Sequence, residues 1–315
     1  MKYTKFGKTG IEVSKMCLGT WGIGGAGWDN YSDESRMDAI KAALDCGINF
    51  IDTAPAYNAG KAEQYVGETL HKLGARKEVV ISTKCGNEFI DGKYVRCGSA
   101  DKILRECDES LQKLKTDYID VYLVHWPDPN VAMEETMDAL NQLKKQGKIL
   151  HAGVSNFTKE QMEEANKYCE IEAYQPQFSM VDRDNEELIR WAYAQDMGVM
   201  TYGTLGGGIL TGKYRELKTY EANDNRNRFY PYFREPLFSK AMKLLSVMDK
   251  ISKERNVPLA QIALNWTLKK EFISSCITGS QSRDKIEANC KVFDWELSAE
   301  EMQMLDKAIE EYSKA

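Results

Sequence analysis

The chain has 315 residues, which is room for two average domains or for one large β/α barrel of about 250 residues. With 43% hydrophobic and 29% charged residues, its composition is that of a folded globular protein and excludes a largely disordered chain. A formal net charge of −6 and the lack of a dense run of Lys and Arg exclude nucleic acid or an anionic membrane surface as the main partner.

Residues 2–15 predict a short β-hairpin with its turn at residues 8–10. After it, short apolar runs alternate with amphipathic helical patterns. The apolar runs predict strands at 16–20, 50–52, 79–84, 118–125, 149–156, 171–175, 198–202 and 273–278. The helical patterns cover a segment that ends near Gly47, then 61–73, 100–114, 133–146, the residues after a capping box at Thr158 and Gln161, 185–195, 238–254, a segment with Pro258 at its first position, the residues after Arg283, and a last helix that begins with a second capping box at 298–301.

The predicted strands are nearly continuous apolar runs, which is typical of a parallel sheet covered on both faces. Eight strand–helix units are the number that closes a barrel, and no linker or composition break divides the chain. The predicted architecture is therefore an α/β fold, a (β/α)8 TIM barrel with an N-terminal β-hairpin and an extra C-terminal helix. A single domain is expected over residues 1–315.

The eight cysteines show no C-x-x-C pair and no metal-ligand spacing, so we expect reduced thiols and no metal site. No apolar leader and no apolar run of about 18 residues is found in the sequence. These features predict a cytoplasmic protein.

Three successive predicted strands end in an ionisable residue. Asp52, Lys84 and His125 occupy these strand ends, and Tyr57 lies in the turn that follows Asp52. Because the carboxyl ends of all strands in a parallel barrel open on one face, where the chemistry takes place, we expect these four side chains to meet. They are the predicted catalytic residues.

Residues 22–27 match the G-x-G-x-x-G pattern of a Rossmann dinucleotide site. A Rossmann turn begins a helix at once, whereas residues 28–33 intervene here, and the acid expected about 20 residues later is missing from a second strand end. We interpret the segment as a flexible loop over the barrel mouth. Phosphate binding is expected instead after strands seven and eight, at residues 205–213 and 279–282, where backbone amides are available.

Several motifs together resemble the aldo-keto reductase family, nearest to its bacterial branch with a short C-terminal tail. They are residues 52–57 with Gly60, Glu63 and Gly67, residues 82–84, residues 125–128, residues 153–156, and residues 205–208 with 213–214, and they cover nearly the whole chain in the family's order. The resemblance implies a catalytic tetrad of Asp52, Tyr57, Lys84 and His125. It also implies an oxidoreductase that reduces aldehydes, ketones or open-chain sugars, or that runs the reverse oxidation.

The resemblance further implies a nicotinamide dinucleotide as cofactor. Ser155, Asn156 and Gln175 would hold the carboxamide and Tyr202 would stack on its ring, in keeping with the hydrogen-bonding capacity of amides and the flatness of an aromatic ring. The other implied cofactor contacts are Gly19, Thr20, Trp21, Gly203, Leu205, Gly207, Lys213, Gly279, Ser280, Gln281, Lys285 and Asn289.

NADP(H) is expected to be favoured over NAD(H). A 2′-phosphate needs cationic or hydroxyl donors, and Ser280, Ser282, Arg283 and Lys285 can supply them. Gln281 and Ala288 stand where the family commonly has a basic and an acidic residue. The expected preference is therefore modest, about tenfold.

In the implied mechanism Tyr57 gives a proton to the carbonyl oxygen as hydride reaches the carbonyl carbon. Lys84 is expected to lower the pKa of Tyr57 from its ordinary value near 10, and Asp52 to keep Lys84 charged and aimed. His125 is expected to orient the carbonyl group.

Aromatic residues suggest how a substrate is enclosed. Trp21, Trp28 and Trp126 flank the strand ends and are expected to wall an apolar substrate pocket. Residues 214–236 contain Phe229, Tyr230, Tyr232 and Phe233 among Arg226, Arg228 and Arg234, and this long connection is a candidate lid.

Two alternatives remain open at this stage. The first is an aldolase with Lys84 as a Schiff-base nucleophile, which requires a neutral lysine that Asp52 disfavours. The second is a non-enzymatic, dinucleotide-binding redox sensor, which the complete tetrad disfavours. The expected partner is a small carbonyl compound or sugar, and the sequence assigns no oligomeric state.

Overall fold

A computed structural model of the chain describes residues 1–28, 31–90, 93–222 and 224–314. Its strands are β1 Tyr3–Lys5, β2 Glu12–Ser14, β3 Met16–Gly19, β4 Phe50–Asp52, β5 Val80–Cys85, β6 Asn87–Ile90, β7 Lys93–Arg96, β8 Ile119–Val124, β9 Ile149–Ser155, β10 Ala173–Gln175, β11 Gly198–Thr201 and β12 Ser275–Gly279. Its helices are α1 Trp21–Gly24, α2 Asp33–Asp45, α3 Lys61–Leu73, α4 Ala100–Leu114, α5 Met133–Lys145, α6 Lys159–Ala165, α7 Glu186–Ala194, α8 Asn225–Phe229, α9 Leu237–Arg255, α10 Leu259–Leu268, α11 Arg283–Cys290 and α12 Ala299–Ser313.

Eight parallel strands form a closed barrel, as predicted. The order around the barrel is β3, β4, β5, β8, β9, β10, β11 and β12, and β12 pairs with β3 to complete the closure. Closure leaves no free sheet edge, and the parallel direction brings every carboxyl end to the same face.

The N-terminal hairpin closes the amino end of this barrel. β1 and β2 pair antiparallel, and Phe6 between them is fully buried with its ring 5.3 Å from that of Phe50. Gly198, at the start of β11, has no room for a side chain because a Cβ there would lie 2.6 Å from the Phe6 ring. The hairpin thus fills one end of the barrel, and only the carboxyl ends of the strands stay open.

Two apolar layers cover the strands. A small cluster fills the barrel interior and consists of Phe6, Val13, Cys17, Phe50, Val80, Val121, Leu123, Ala173, Met200 and Ile277. A larger layer lies between the strands and the surrounding helices, and α12 adds to it by packing against α9. Burial on both faces is the reason that the strands are nearly continuous apolar runs in the sequence.

Helix ends follow local signals in several places. Both predicted capping boxes form, with Thr158 accepting from the Gln161 amide and Ser298 from the Glu301 amide. Gly74 ends α3 in the left-handed conformation, φ 66°, which glycine adopts without the steric cost of a Cβ. Pro258, however, is the capping residue of α10 and not its first helical residue, because its ψ of 149° is extended.

Some structure in the connecting segments was not predicted, including the short helix α1 Trp21–Gly24, which overlaps the segment interpreted as a loop. β6 and β7 pair antiparallel, Glu88 opposite Val95, and form a ribbon beyond the end of β5. The long connection after β11 contains 3-10 turns at Gly206–Thr211 and Pro231–Phe233 as well as α8.

Among the described residues, none of the helices combines the length and apolar character needed to cross a bilayer. The same part of the chain holds no group of three or more His, Cys, Asp or Glu side chains placed to bind a metal ion.

Candidate active site

The four predicted catalytic residues lie together at the carboxyl face of the barrel. Asp52 is the last residue of β4 and pairs in register with Ser82 of β5, so Lys84 extends two residues further on the same side of the pleat. His125 follows β8 directly, and Tyr57 lies in the turn after β4, where its amide donates to the Ala54 carbonyl.

Lys84 is the centre of this group. Its Nζ lies 2.9 and 2.8 Å from Asp52 Oδ1 and Oδ2, 2.8 Å from the Thr53 carbonyl oxygen and 3.1 Å from the Tyr57 hydroxyl. Both partners of the ion pair are buried, with 0% of Lys84 and 2% of Asp52 exposed. A buried charge pair of this kind persists only where further hydrogen bonds satisfy its donors, and the Thr53 and Tyr57 oxygens do so here.

The expectation that Lys84 lowers the pKa of Tyr57 is wrong. Burial, and after it the negative charge of Asp52, raises the pKa of Tyr57 well above its ordinary value. The reason is that Asp52 neutralises Lys84, so the pair gives the phenolate little net positive charge to replace its lost hydration. Tyr57 is therefore a protonated phenol at neutral pH.

His125 is held in its neutral form. Burial, together with the positive charge of Lys84, keeps the pKa of His125 well below its usual range. Its ring lies 6.2 Å from that of Tyr57 at an interplanar angle of 83°. A neutral imidazole has one N–H donor and one acceptor, which allows it to hydrogen-bond a carbonyl oxygen.

A second set of polar residues lies beside the first. Gln175 Nε2 donates to Asp52 Oδ1 at 2.8 Å, and the Ser155 hydroxyl donates to the Gln175 carbonyl oxygen at 2.7 Å. Asn156 Nδ2 donates to the His125 carbonyl oxygen, and the Tyr202 hydroxyl donates to Asn156 Oδ1. Asn156 Nδ2 also lies 3.0 Å from the Ser155 hydroxyl, so the predicted carboxamide-binding residues form one hydrogen-bonded chain that reaches the ion pair.

The donor set fits the carboxamide of a nicotinamide. Among the described contacts Gln175 uses one amide hydrogen and its Oε1 accepts no hydrogen bond, so a donor and an acceptor remain available. Tyr202 is half-buried next to Asn156 and offers an aromatic ring at the same place.

The end of β3 and the residues after it contact the catalytic residues Asp52 and Tyr57. The residues concerned are Gly19, Thr20 and Trp21. Gly19 ends β3, and a Cβ there would lie 2.6 Å from the Ile277 side chain. The Thr20 hydroxyl donates to the Asp52 carbonyl oxygen at 2.9 Å. The Trp21 ring stacks on Tyr57 with centroids 6.2 Å apart.

The loop after β11 has the backbone of a candidate phosphate site. Gly203, Gly207 and Gly208 all have left-handed φ angles, which a side chain would strain. A Cβ on Gly207 would also lie 2.5 Å from the Tyr230 ring, so the loop packs directly on this aromatic residue. Leu205 precedes the 3-10 turn, and Lys213 follows it, with its Nζ 5.6 Å from the centre of the Tyr214 ring.

The loop after β12 lies against the glycine-rich segment. Gln281 Nε2 donates to the Gly22 carbonyl oxygen at 2.8 Å, and the Ser35 hydroxyl donates to the Gln281 carbonyl oxygen. Gly279 ends β12, and a Cβ there would meet only the Gly19 carbonyl oxygen, at 3.7 Å. Ser280 is buried beside it.

The two predicted cationic phosphate donors of helix α11 differ in whether a carboxylate already binds them. Lys285 Nζ lies 2.9 Å from the Tyr31 hydroxyl and is exposed, and Asn289 is half-buried further along the same helix. Arg283, by contrast, pairs with Asp38 at 2.6 Å, Asp45 at 3.1 Å and Glu287 at 3.2 Å. Three carboxylates already engage its guanidinium, so the expectation that Arg283 faces a 2′-phosphate is not supported.

The glycine-rich segment accepts hydrogen bonds from several other parts of the chain. Arg36 donates to the Gly22 and Ile23 carbonyl oxygens, Asn58 Nδ2 to that of Gly24, and Asn225 Nδ2 to that of Ala26. The closed barrel also excludes a Rossmann sheet. Asp29 and Asn30, which belong to the predicted loop, lie outside the described residues.

Aromatic side chains wall the space above Tyr57. Trp21 packs edge to face on Trp28 and on Phe229, with centroids 5.2 and 5.3 Å apart. Tyr94 of β7 lies 6.4 Å from Phe229 and also acts on the pKa of Tyr57. The candidate lid therefore contributes Phe229 to this wall, and its Tyr232 and Phe233 are buried.

Tyr94 was not identified from the sequence, although a signal for its ribbon was present. Asp91-Gly92 is a favoured dipeptide for a two-residue hairpin turn, and residues with high β-propensity, Phe89-Ile90 and Tyr94-Val95, stand on either side of it in the sequence. The turn itself lies outside the described residues.

Fold and site together define a (β/α)8 barrel with a buried Lys–Asp pair, a tyrosine and a histidine at the carboxyl ends of its strands. The model of the aldo/keto reductase family matches residues 15–310, and the chain belongs to this family of oxidoreductases that act on carbonyl compounds and alcohols.

The named relatives are of the same kind. The chain is 36% identical over 313 residues to aldo-keto reductase YhdN of Bacillus subtilis, covering 98% of this chain and 94% of that protein. It is 33% identical to the NADH-specific methylglyoxal reductase of Escherichia coli, with 95% of each chain covered. Among solved structures, the glycerol dehydrogenase AKR11B4 of Gluconobacter oxydans superposes with a TM-score of 0.87 at 30% identity, covering 97% of this chain and 94% of that one.

Proposed function

We propose that this protein is an NAD(P)H-dependent reductase of aldehydes and ketones, or catalyses the reverse oxidation of alcohols and sugars, and that residues 1–315 act as one catalytic unit. The observation that carries the proposal is the 3.1 Å contact between Lys84 Nζ and the Tyr57 hydroxyl beside His125. Because the ammonium group can only donate, the tyrosine oxygen accepts, and its own proton is left to point elsewhere.

Tyr57 acts as the general acid. When bound, a reduced nicotinamide supplies the hydride that forms the new C–H bond at the carbonyl carbon. As the C=O π bond breaks, the O–H bond of Tyr57 breaks too, and its proton passes to the carbonyl oxygen. Lys84 stabilises the tyrosinate that forms, while Asp52 and the Thr53 carbonyl oxygen keep the ammonium group in place.

His125 orients the substrate. Because its pKa is held well below the usual range, it remains neutral and donates a hydrogen bond to the carbonyl oxygen without giving up a proton. Tyr57 is therefore the residue that supplies the proton to the carbonyl oxygen, and His125 does not compete with it as an acid.

The residues that would hold the nicotinamide are Ser155, Asn156, Gln175 and Tyr202. The glycine loop after β11 and the residues 279–281 with α11 would hold the phosphates and the adenosine. We propose a modest preference for NADP(H) that rests on Lys285 with Ser280 and Ser282. Arg283 is left out of this set because its carboxylate partners hold it.

Transient kinetics tests the proposed reaction. The protein is loaded with NADPH or NADH and mixed with a panel of aldehydes and ketones in a stopped-flow instrument, and loss of the reduced cofactor is followed by its absorbance. Oxidation that depends on the carbonyl compound is expected. A protein that binds the reduced cofactor but does not oxidise it with any compound of the panel would be the redox sensor instead.

The aldolase alternative predicts a different product. A Schiff base on Lys84 requires a neutral amine, yet its ammonium group lies against both oxygens of Asp52. We expect that borohydride and a carbonyl compound leave the intact mass of the protein unchanged. A mass increase that maps to Lys84 and is absent from Lys84→Arg would contradict the reductase mechanism.

A further inference from the structure

Two arginines at the mouth of the candidate active site differ from the others in the described part of the chain. Arg96 lies on β7 and Arg228 on α8. Neither has a carboxylate within 4.0 Å or any hydrogen-bond acceptor among the described residues. Every other arginine in the described residues has such a partner. Arg36 donates to backbone carbonyl oxygens and Arg234 donates to Asn227. Carboxylates pair with the remaining ones, which are Arg76, Arg105, Arg183, Arg190, Arg215, Arg226, Arg255 and Arg283.

Both guanidinium groups lie on aromatic residues around the mouth of the candidate pocket. The Arg96 guanidinium carbon is 5.3 Å from the centre of the Trp126 ring, and Trp126 directly follows His125. The Arg228 guanidinium carbon is 5.4 Å from the centre of the Phe229 ring, which packs on Trp21. The two cations therefore border the pocket from separate elements.

Ribbon geometry places Arg96 on the pocket side. Side chains two residues apart in a strand share a face, so Arg96 and Tyr94 are on the same face of β7. Tyr94 contacts Phe229, 6.4 Å between ring centroids, and it influences Tyr57 electrostatically. Arg228 acts on Tyr94 in turn, because its charge opposes the rise in the pKa of Tyr94 that burial causes. The ribbon thus brings the two arginines to one opening.

The chemistry of a stacked arginine leaves its edge available. A guanidinium group that lies over an aromatic ring uses its face in the contact, while its five N–H donors lie in the plane and match a carboxylate or a phosphate. In a protein whose formal charge is −6, two cations without anionic partners at the site entrance create a local attraction for anions.

We propose that this protein prefers carbonyl substrates that carry an anionic group, a carboxylate or a phosphate, distant from the carbonyl carbon, and that Arg96 and Arg228 bind this group at the pocket mouth. The proposal rests on the proposed reductase function. It assigns to these two residues a role in substrate specificity and none in the chemical step, since none of the contacts that the described residues make links either arginine to Tyr57, Lys84 or His125.

Matched substrates test the preference. The values of kcat/KM are compared for 4-carboxybenzaldehyde and methyl 4-formylbenzoate, which have similar shape and differ in charge, and for glyceraldehyde 3-phosphate and glyceraldehyde. In at least one pair we expect kcat/KM at low salt to be about tenfold higher for the charged compound, equivalent to about 1.4 kcal/mol. This ratio should fall as the salt concentration rises. The pair that shows the larger ratio distinguishes a carboxylate from a phosphate substrate.

Variants connect the preference to the two residues. Arg96→Gln and Arg228→Gln are each expected to reduce the ratio to about threefold and the double variant to about one, with the neutral compounds unaffected. Arg105→Gln is the matched control, because Arg105 is an exposed arginine of α4 whose partner is Glu109. Equal kcat/KM for charged and neutral compounds, or a ratio that persists in the double variant, would overturn the proposal.

Binding gives an answer that does not require turnover. Trp21 stacks on Tyr57 and Trp126 directly follows His125, so tryptophan fluorescence can follow a titration with each aldehyde in the presence of oxidised cofactor. Tighter binding of the carboxylate than of the ester, lost in the double variant, supports the inference even if no aldehyde is reduced. Equal affinity for both refutes it even if reductase activity is found.

Discussion

At the scale of single residues, the hydrogen-bond partners of the Tyr57 hydroxyl determine how its oxygen and its proton can be used. Lys84 donates to the phenol oxygen, and Lys84 is itself held by both oxygens of Asp52. Gln175 donates to the same carboxylate and couples it to the predicted nicotinamide contacts. Because the phenol oxygen accepts from Lys84, the proton of Tyr57 is not used in that hydrogen bond.

Replacement of Tyr57 by phenylalanine is expected to abolish carbonyl reduction. Loss of one well-placed donor to a developing oxyanion costs roughly 10² to 10³ in turnover in other enzymes, and here the proton itself is lost as well. Affinity for the reduced cofactor should stay within a few fold, because the ring and its stacking on Trp21 remain. Fluorescence titration measures the affinity, and single-turnover kinetics the rate; undiminished turnover would contradict the assigned role.

The pH dependence of reduction follows from two shifted groups. The pKa of Tyr57 is raised, so the phenol keeps its proton at pH values above its ordinary value of about 10. The pKa of His125 is lowered, so the imidazole stays neutral at pH values below its ordinary value of about 6.5. We therefore expect the single-turnover rate of reduction to be flat between about pH 6.5 and pH 9.

The reverse oxidation should behave differently, because it needs a base to accept the alcohol proton. Its rate is expected to rise with pH through the whole accessible range, without a plateau below about pH 9. A titration of the reduction rate with an apparent pKa between about 7 and 9 would argue against the protonation states given for these two residues.

At the scale of elements, the α3–α4 contact supports the tyrosine turn from outside the barrel. α3 begins four residues after Tyr57, and Gly67 on it touches the last turn of α4. A Cβ on Gly67 would clash with the Lys113 carbonyl oxygen and would lie 2.6 Å from the Leu114 carbonyl carbon. These are backbone atoms, which have no rotamer with which to avoid the added methyl group.

Gly67→Ala tests which of two opposed effects dominates. Helix propensity alone would make alanine more stable by about 1 kcal/mol, whereas overpacking against rigid backbone typically costs about 1–3 kcal/mol. We expect the clash to prevail and the midpoint of urea unfolding to fall. Gln64→Ala, at a half-exposed position of the same helix, is the control and should change the free energy of unfolding by less than about 0.5 kcal/mol. A stabilised Gly67→Ala variant would show that the two helices can move apart.

At the scale of the whole molecule, the proposed dinucleotide groove joins residues far apart in the chain. Its nicotinamide end uses β9, β10 and β11, and its adenosine end uses the loop after β12 and α11. The β12 loop is fixed to the start of the chain, because Gln281 donates to Gly22. Binding along this groove should therefore stabilise the complete barrel and not one local segment.

Thermal unfolding with each dinucleotide tests both this coupling and the proposed cofactor preference. At equal concentrations NADPH is expected to raise Tm more than NADH, corresponding to a difference in binding of about 1.4 kcal/mol. Lys285→Ala should shrink the difference. Arg283→Ala, two residues away on α11, should leave it unchanged because Arg283 is paired with Asp38 and Asp45. A larger shift with NADH than with NADPH would overturn the preference and leave the reductase proposal intact.

The sequence by itself determined the barrel and the central group of the site. Apolar runs, capping boxes and glycine stops are local signals, and the eight strands, both capping boxes and the end of α3 at Gly74 were predicted from them. Asp52, Lys84 and His125 could be expected to meet because a closed parallel barrel brings all carboxyl strand ends to one face, whatever the loops do.

Only the tertiary structure decided properties that depend on distance in space. The pKa of Tyr57 is raised by burial and then by the negative charge of Asp52, and no spacing along the chain reveals either. Arg283 is paired with Asp38 and Asp45, more than 200 residues earlier, because these residues lie opposite it across two packed helices. Arg96 and Arg228 reach one opening because an antiparallel ribbon and a distant loop meet above the barrel. Electrostatic partners are set by such three-dimensional proximity and not by sequence order, so these features could not be derived from the sequence.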